Sequence, residues 1–227
     1  MLIAARASCY CPPISDCALM MQSDQFIIAD DIRFGKSAPM SRCRIQSADG
    51  PQWLTVPVFS RGLGKPLLKD IRIDNDRGWR RKHFRQLEVN YRYAPFFEHY
   101  DLFFKQLYDK EWTFLLDLNM AFLELICKAL QISTPVILRS ELNIDKAGSE
   151  GLVELLQKTN ASAYLVGDSD VAHIDSEELT RCGYRVQHLR FNTSYPQQFD
   201  QFTENLSILD LLFNEGPMAR NHLKKPE

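Results

Sequence analysis

Apolar residues gather in short compact runs near the start of the chain, spread to helical spacing in the middle, and return to compact runs in the last third. LIAARA reads as a buried first strand that ends in a loop at CYCPP, and ISDCALMMQS fits a short helix. QFIIAD is a compact apolar run bounded by polar residues, the pattern of a buried strand. DIRFGKSAPMSRCRI reads as a loop, with Gly35 and Pro39 as breakers and Arg33, Lys36, Arg42 and Arg44 along it. QWLTVPV is a further strand whose Pro57 places its end near a sheet edge, and GLGKPLLKDIRI is a turn followed by a short strand.

From Asp76 the period lengthens. Trp79, Phe84, Leu87 and Tyr91 fall close to helical spacing, with basic residues on the other face, until Pro95 interrupts. One or two helices fill residues 97–130, where Leu115, Leu118, Phe122, Leu125, Ile126 and Ala129 form a core stripe. The last third then alternates. PVILRSEL, SAYLVGDS and YRVQHLRF read as strands, with helices GSEGLVELLQKTN and SEELTRCG between them. Such β-α-β-α-β alternation indicates a parallel sheet with covering helices. The fold expected is therefore α/β, a Rossmann-like and mainly parallel sheet in a single domain over residues 1–217, with a helical insertion at about 76–130. Residues 218–227 read as a flexible tail.

Ligands of such sheets bind outside the carboxyl ends of the strands. Those ends are expected at Arg139-Ser140, Gly167-Asp168-Ser169 and Asn192-Thr193.

Composition narrows the function classes. The 227 residues carry 27 basic and 29 acidic side chains, without the basic excess of a dedicated nucleic-acid binder. No run approaches the length of a membrane span, and Arg6 breaks the initial apolar stretch where a signal peptide would need it continuous. A cytoplasmic protein is expected, with its six cysteines as thiols. Cys9, Cys11 and Cys17 are crowded, but their spacing lacks the paired C-x-x-C of a zinc site, so no metal is assigned and no cofactor is named. There is no P-loop and no complete dinucleotide-binding glycine motif; the glycines of RGLGKP read as a turn.

One carboxylate stands out. Asp210 lies within NLSILDLLFNEGP, where Leu206, Ile208, Leu209, Leu211, Leu212 and Phe213 leave no polar side for a surface helix. An ionised carboxylate there costs several kcal/mol unless it is paired and hydrogen-bonded. It therefore needs a partner. Arg42 and Arg44 are the first expected, and the pair could be structural or could orient a substrate-holding cation.

Asp30 and Asp31 follow a buried strand, where they could hold a metal, bind sugar hydroxyls, act as acid and base, or simply start a turn. Arg42 and Arg44, two apart, share one side of an extended segment and suit a phosphate or carboxylate, with Lys36 nearby. His83 lies in a basic stretch that reads as either a solvated face or a proton carrier near neutral pH. Asn90 and Tyr91 follow it and could add amide or hydroxyl contacts. Asp117 and Asn119 face different sides of their helix, so at most one could share a pocket with the others.

FIIADD, SRCRI, PQWLTVPV, WRRKHFRQL with Asn90-Tyr91, DLN at 117–119, YLVG, SYPQ and LSILDLLFNEGP occur in an order that resembles the WbqC-like family of bacterial proteins. The resemblance covers about residues 2–217 and implies a role in surface-polysaccharide biosynthesis. It further implies transfer of an acyl or aminoacyl group to an amino sugar or a nucleotide-linked amino sugar. Two elements differ. Ala7-Ser8-Cys9-Tyr10-Cys11-Pro12 stands where family members usually carry Gln-Pro-x-Tyr-x-Pro. Asn192 stands where the histidine of a His-Pro-x-Tyr-x-Gln element is usual, while Tyr195 and Gln197 match it as expected substrate contacts.

On this reading Arg42 and Arg44 hold an anionic group, Asp30, Asp31 and Asp210 orient hydroxyls or cations, and His83 moves protons. The alternative is a ligand-binding or assembly protein of the same pathway with altered catalysis, which the two missing elements favour.

Overall fold

A computed structural model describes every residue except 36–37, 61, 63, 65, 168–170, 172–173, 193, 200–201 and 227. The chain runs β1 (Leu2–Ala7), α1 (Ile14–Gln22), β2 (Gln25–Ala29), β3 (Arg42–Ile45), β4 (Gln52–Thr55), β5 (Val58–Phe59) and β6 (Arg72–Ile73). Helices α2 (Trp79–Tyr91), α3 (Phe97–Asp109) and α4 (Leu115–Leu130) follow. Then come β7 (Val136–Leu138), α5 (Gly148–Lys158), β8 (Ala163–Val166), α6 (Ser176–Arg181), β9 (Arg185–His188), α7 (Ile208–Glu215) and α8 (Ala219–His222).

Five strands form one parallel sheet in the order β7-β2-β1-β8-β9, an α/β, Rossmann-like arrangement. Two small antiparallel pairs, β3–β4 and β5–β6, stand apart from it. The sheet is covered on both faces, and strand alternation assigns the residues. Ala4, Phe26 and Ile28 belong to one core cluster with α1, α4 and α7, whereas Ile3 and Ile27 join a second cluster with Leu155, Leu156 and Leu179. This double burial explains why β2 and β8 read as continuous apolar runs, whereas the edge strand β9, RVQH, is largely exposed.

The order of strands matters for function. From β1 the chain moves outward on one side, to β2 and then β7; it then crosses to the other side of β1 for β8 and β9. The direction of winding reverses between β1 and β8, and the crevice outside their carboxyl ends is where sheets of this kind receive ligands.

Three local expectations are corrected. Arg42 and Arg44 lie on strand β3 rather than in a loop, because their segment pairs in register with Thr55 and Trp53 of β4. Arg139 does follow β7, but β9 ends at His188, so Asn192 lies beyond the sheet. Asp168, Ser169 and Thr193 fall outside the described residues, as do Arg61, Leu63 and Lys65 of the RGLGKP turn. Residues 219–222, expected in a flexible tail, form α8, with Ala219 and Leu223 fully buried and the His222 carbonyl accepting from Asn192 N.

Helix α7 is buried all round and is tied at its start to two other segments. Ser207 Oγ donates to the Cys11 carbonyl (2.9 Å), and Ser207 N donates to the Arg44 carbonyl (2.8 Å). Gly216 ends the helix with φ +53°, and a Cβ there would lie 2.4 Å from the Phe96 ring.

Candidate functional site

A cleft of about 620 Å³ opens at the switch point. Its floor comes from Arg6 and Ala7 at the end of β1, Ala29 of β2 and Tyr164 of β8. Asp16 of α1 enters one wall, while Arg42, Arg44 and Trp53 enter from the β3–β4 hairpin. A second cavity of about 280 Å³ adjoins it, sharing Arg6, Pro13, Ser15, Asn205 and Leu206 and adding Phe191 and Phe202.

Arg6 and Asp16 form an ion pair, Nε to Oδ1 at 3.1 Å, with each side chain 11% exposed. Burial pushes the Asp16 carboxyl above its usual range, and the Arg6 charge and hydrogen bonds from Cys9 and Arg6 pull it back. Asp16 also lies in the first turn of α1, where the helix dipole favours a negative charge. Gly167 follows β8 because the Arg6 guanidinium crosses there: a Cβ would meet Arg6 Nη2 at 2.4 Å. Burial and then the Asp16 charge raise the Cys9 thiol well above its ordinary pKa, so it stays protonated at neutral pH. All six cysteines are thiols.

On the hairpin, Arg44 pairs across the strands with Trp53, and the Arg42 guanidinium sits 4.3 Å from the Trp53 ring centroid. Trp53 is 51% exposed, a large aromatic surface beside two guanidinium groups. A hairpin face of this kind can bind an anionic group and stack a ring at the same time.

Among the residues expected from sequence, Arg42 and Arg44 line the cleft. Lys36 lies outside the described residues. Tyr195 lines the adjoining cavity, and the others sit elsewhere. Asp30 is buried and accepts from Ser140 N (3.0 Å) and Ser140 Oγ (2.6 Å), and Asp31 pairs with Arg139 at 2.6 Å. The two carboxylates thus fasten the end of β2 to the turn after β7. Asp30→Ala is expected to cost about 1–3 kcal/mol by stranding the Ser140 donors. Urea unfolding would measure it, and a loss below 0.5 kcal/mol would deny Asp30 that fastening role.

Asp210 does not meet Arg42 or Arg44. Its carboxylate accepts from Tyr91 (2.7 Å), Tyr195 (2.9 Å) and Asn214 (3.3 Å), because α7 packs against α2 and the segment before it rather than against the hairpin arginines. Tyr91 also accepts from Gln46 N (2.9 Å). Asn90 is buried and donates to the Gln86 carbonyl, while Gln197 both donates to and accepts from the Thr203 backbone. Asn119 is buried and donates to the Met40 carbonyl, whereas Asp117 is exposed.

His83 is buried in an aromatic cage with Tyr10, Trp79 and Tyr108. Its Nδ1 lies 3.0 Å from the Tyr10 hydroxyl, which in turn contacts the Tyr108 hydroxyl at 2.5 Å, and the ring also bonds the Thr55 backbone. Burial lowers its pKa to about 4, so the ring is neutral at pH 7 rather than a proton carrier.

Sequence reasoning passed over Arg6, Asp16 and Trp53. A signal for Arg6 existed: a guanidinium inside an apolar strand demands a countercharge as strictly as Asp210 does.

Among the described residues no group of histidine, cysteine, aspartate and glutamate could hold a metal ion, and no helix is long and apolar enough to cross a membrane. No solved structure matches the chain. It is similar to Uncharacterized protein Rv1507c of Mycobacterium tuberculosis, 32% identical over 204 residues that cover 88% of each chain. The model of the WbqC-like protein family matches residues 8–222, nearly the whole of the fold and every wall of the cleft beyond β1. The chain belongs to the WbqC-like protein family.

Proposed function

We propose that the cleft binds a nucleotide-linked amino sugar and that the protein is a cytoplasmic enzyme of bacterial surface-polysaccharide biosynthesis, placing an acyl or aminoacyl group on that sugar. The observation that carries the reading is the convergence of Arg42, Arg44 and the exposed Trp53 ring on the cleft at the sheet's switch point. Guanidinium groups match phosphate oxygens in bidentate geometry, and an indole face stacks a base or a sugar ring. The adjoining cavity, walled partly by Phe191 and Phe202, offers room for the group to be transferred.

The second reading is a protein that holds such a ligand without turning it over. What favours it is the absence of histidine from the described cleft residues, together with the engagement of Asp30, Asp31 and Asp210 in fastening the fold.

Isothermal titration with UDP- and dTDP-linked amino sugars tests the binding common to both. Arg44→Ala is expected to weaken binding by about 10- to 100-fold, the worth of a charge-assisted hydrogen-bonded contact. Its melting temperature should stay within about 2 °C, since the side chain is only partly buried. Absence of binding to every member of the panel, or unaltered binding by Arg44→Ala, would overturn the assignment. Mass spectrometry of the bound sugar after incubation with acyl donors then separates turnover from holding.

A further inference from the structure

The cleft is charged in an uneven way. Arg6, Arg42 and Arg44 line it, and Asp16 is the single carboxylate among its described lining residues. The arginines of the hairpin come from β3, whereas Asp16 comes from the first turn of α1. A ligand satisfying this cleft carries an anionic part toward the hairpin and a cationic part toward α1.

We infer that Asp16 is the recognition site for a primary ammonium group on the ligand, so that the cleft selects amino over hydroxy sugars; this rests on the ligand reading above. The Asp16 carboxylate has acceptor capacity for this. Two oxygens accept up to about four hydrogen bonds. Among the described residues Arg6 Nε occupies one position on Oδ1, and the Cys9 thiol, beside the carboxylate, donates to the Ala7 carbonyl. The Asp16 side chain lines the cleft and is only 11% exposed, so an ammonium group that sheds water to reach it needs an acceptor bearing negative charge.

The ion pair itself points the same way. A buried Arg–Asp pair contributes little net stability over apolar residues of equal volume, because desolvation offsets the attraction. At the floor of a ligand cleft it does something apolar residues cannot. Arg6 favours the ionised form of Asp16 against the desolvation of burial and fixes its orientation before the ligand arrives, which spares the ligand the cost of ordering it. A hydroxyl can also donate to a carboxylate, but only the ammonium adds the charge.

The test is a titration at pH 6.5 with UDP-glucosamine and UDP-glucose, which differ at one substituent. Wild-type protein is expected to prefer the amine by about tenfold or more, the difference between a charge-assisted and a neutral hydrogen bond. Asp16→Asn should erase that preference, bringing the ratio of the two affinities to about one whatever the variant does to each alone. Asp16→Glu, which retains the charge, should keep part of it. Asp16→Asn leaves Arg6 buried without this countercharge, so the paired variant Arg6→Gln, Asp16→Asn replaces it if the single variant melts too early. Equal binding of the two sugars by wild type, or a preference that survives both variants lacking Asp16, overturns the inference and leaves the cleft assignment standing. If neither UDP-sugar binds wild type, Asp16 recognition and the nucleotide-sugar reading fail together.

Discussion

Replacing Asp210 with alanine is expected to destabilise the protein by about 3–5 kcal/mol, the summed cost of leaving two buried hydroxyls and an amide without their acceptor. For a chain of this size the melting temperature should fall by roughly 10 °C. The reason lies in what the substitution strands. Tyr91 and Tyr195 each direct a hydroxyl at the carboxylate, and both are buried, so neither donor can turn to water. Burial raises the Asp210 carboxyl while its hydrogen bonds from Tyr91, Tyr195 and Asn214 lower it, the mark of a group held by its partners against desolvation. Tyr91→Phe removes one donor and should cost less, about 1.5–3 kcal/mol, the worth of a hydrogen bond to a charged group. It also strands Gln46 N, which Tyr91 accepts from. Urea unfolding of the two variants beside wild type gives both numbers. A loss below 1 kcal/mol for Asp210→Ala would mean that the network closes around the gap. Ligand affinity at the cleft should survive in the folded fraction, because Asp210 does not line it.

The network also shows where the sequence stopped being legible. That Asp210 needs a partner follows from its neighbours alone. Which partner does not, because Tyr91 is 119 positions away and meets it only when α2 and α7 pack together. An arginine was the natural expectation, since charge opposite charge is the shortest route to neutrality. The fold uses two phenols and an amide instead, which satisfy the carboxylate's lone pairs without burying a second ion. Tyr91 and Tyr195 both stood among the residues matching the family pattern, but as ligand contacts; their hydroxyls are engaged inside the protein.

The parallel sheet was readable for a different reason. Strands buried on both faces must be continuously apolar, so β1, β2 and β8 announce themselves without knowledge of their neighbours. Their order is not local. The crossing of β8 to the far side of β1 creates the switch point, and so the cleft, from residues as distant as Arg6, Trp53 and Tyr164. The tail misled through composition. ARNHLKKPE is mostly polar, yet its two apolar side chains, Ala219 and Leu223, are both fully buried, and that is enough to hold α8 down.

Acidification should expose the cost of burying His83. In the unfolded chain its pKa is about 6.5, and in the folded protein burial lowers it to about 4. Between those values the unfolded state binds more protons, so stability falls as pH is lowered through the window and is fully recovered above it. The loss from this one group approaches about 3 kcal/mol by pH 4. Asp16 and Asp210, whose carboxyls burial raises, act in the opposite sense toward the acid end, because there the folded state binds the extra protons. Wild type alone therefore mixes the terms, and the difference from His83→Gln isolates the imidazole. Urea unfolding of both between pH 7 and pH 4 should show wild type losing about 3 kcal/mol more than the variant; parallel curves would mean that the ring takes up its proton without leaving the core. The consequence reaches the cleft. The neutral ring bonds the Thr55 backbone, and Thr55 closes β4 opposite Arg42, two residues from Trp53. The bond to the Thr55 backbone favours the charged ring, whereas the added proton goes to Nδ1, which faces the Tyr10 hydroxyl; Tyr10 sits between the cleft residues Cys9 and Cys11, so that loop is the element expected to loosen first. Exchange of the Tyr10 amide, which donates to the Pro39 carbonyl, should then accelerate against deuterium below pH 5 before that of the β1 and β2 amides, whose pairing does not depend on the imidazole.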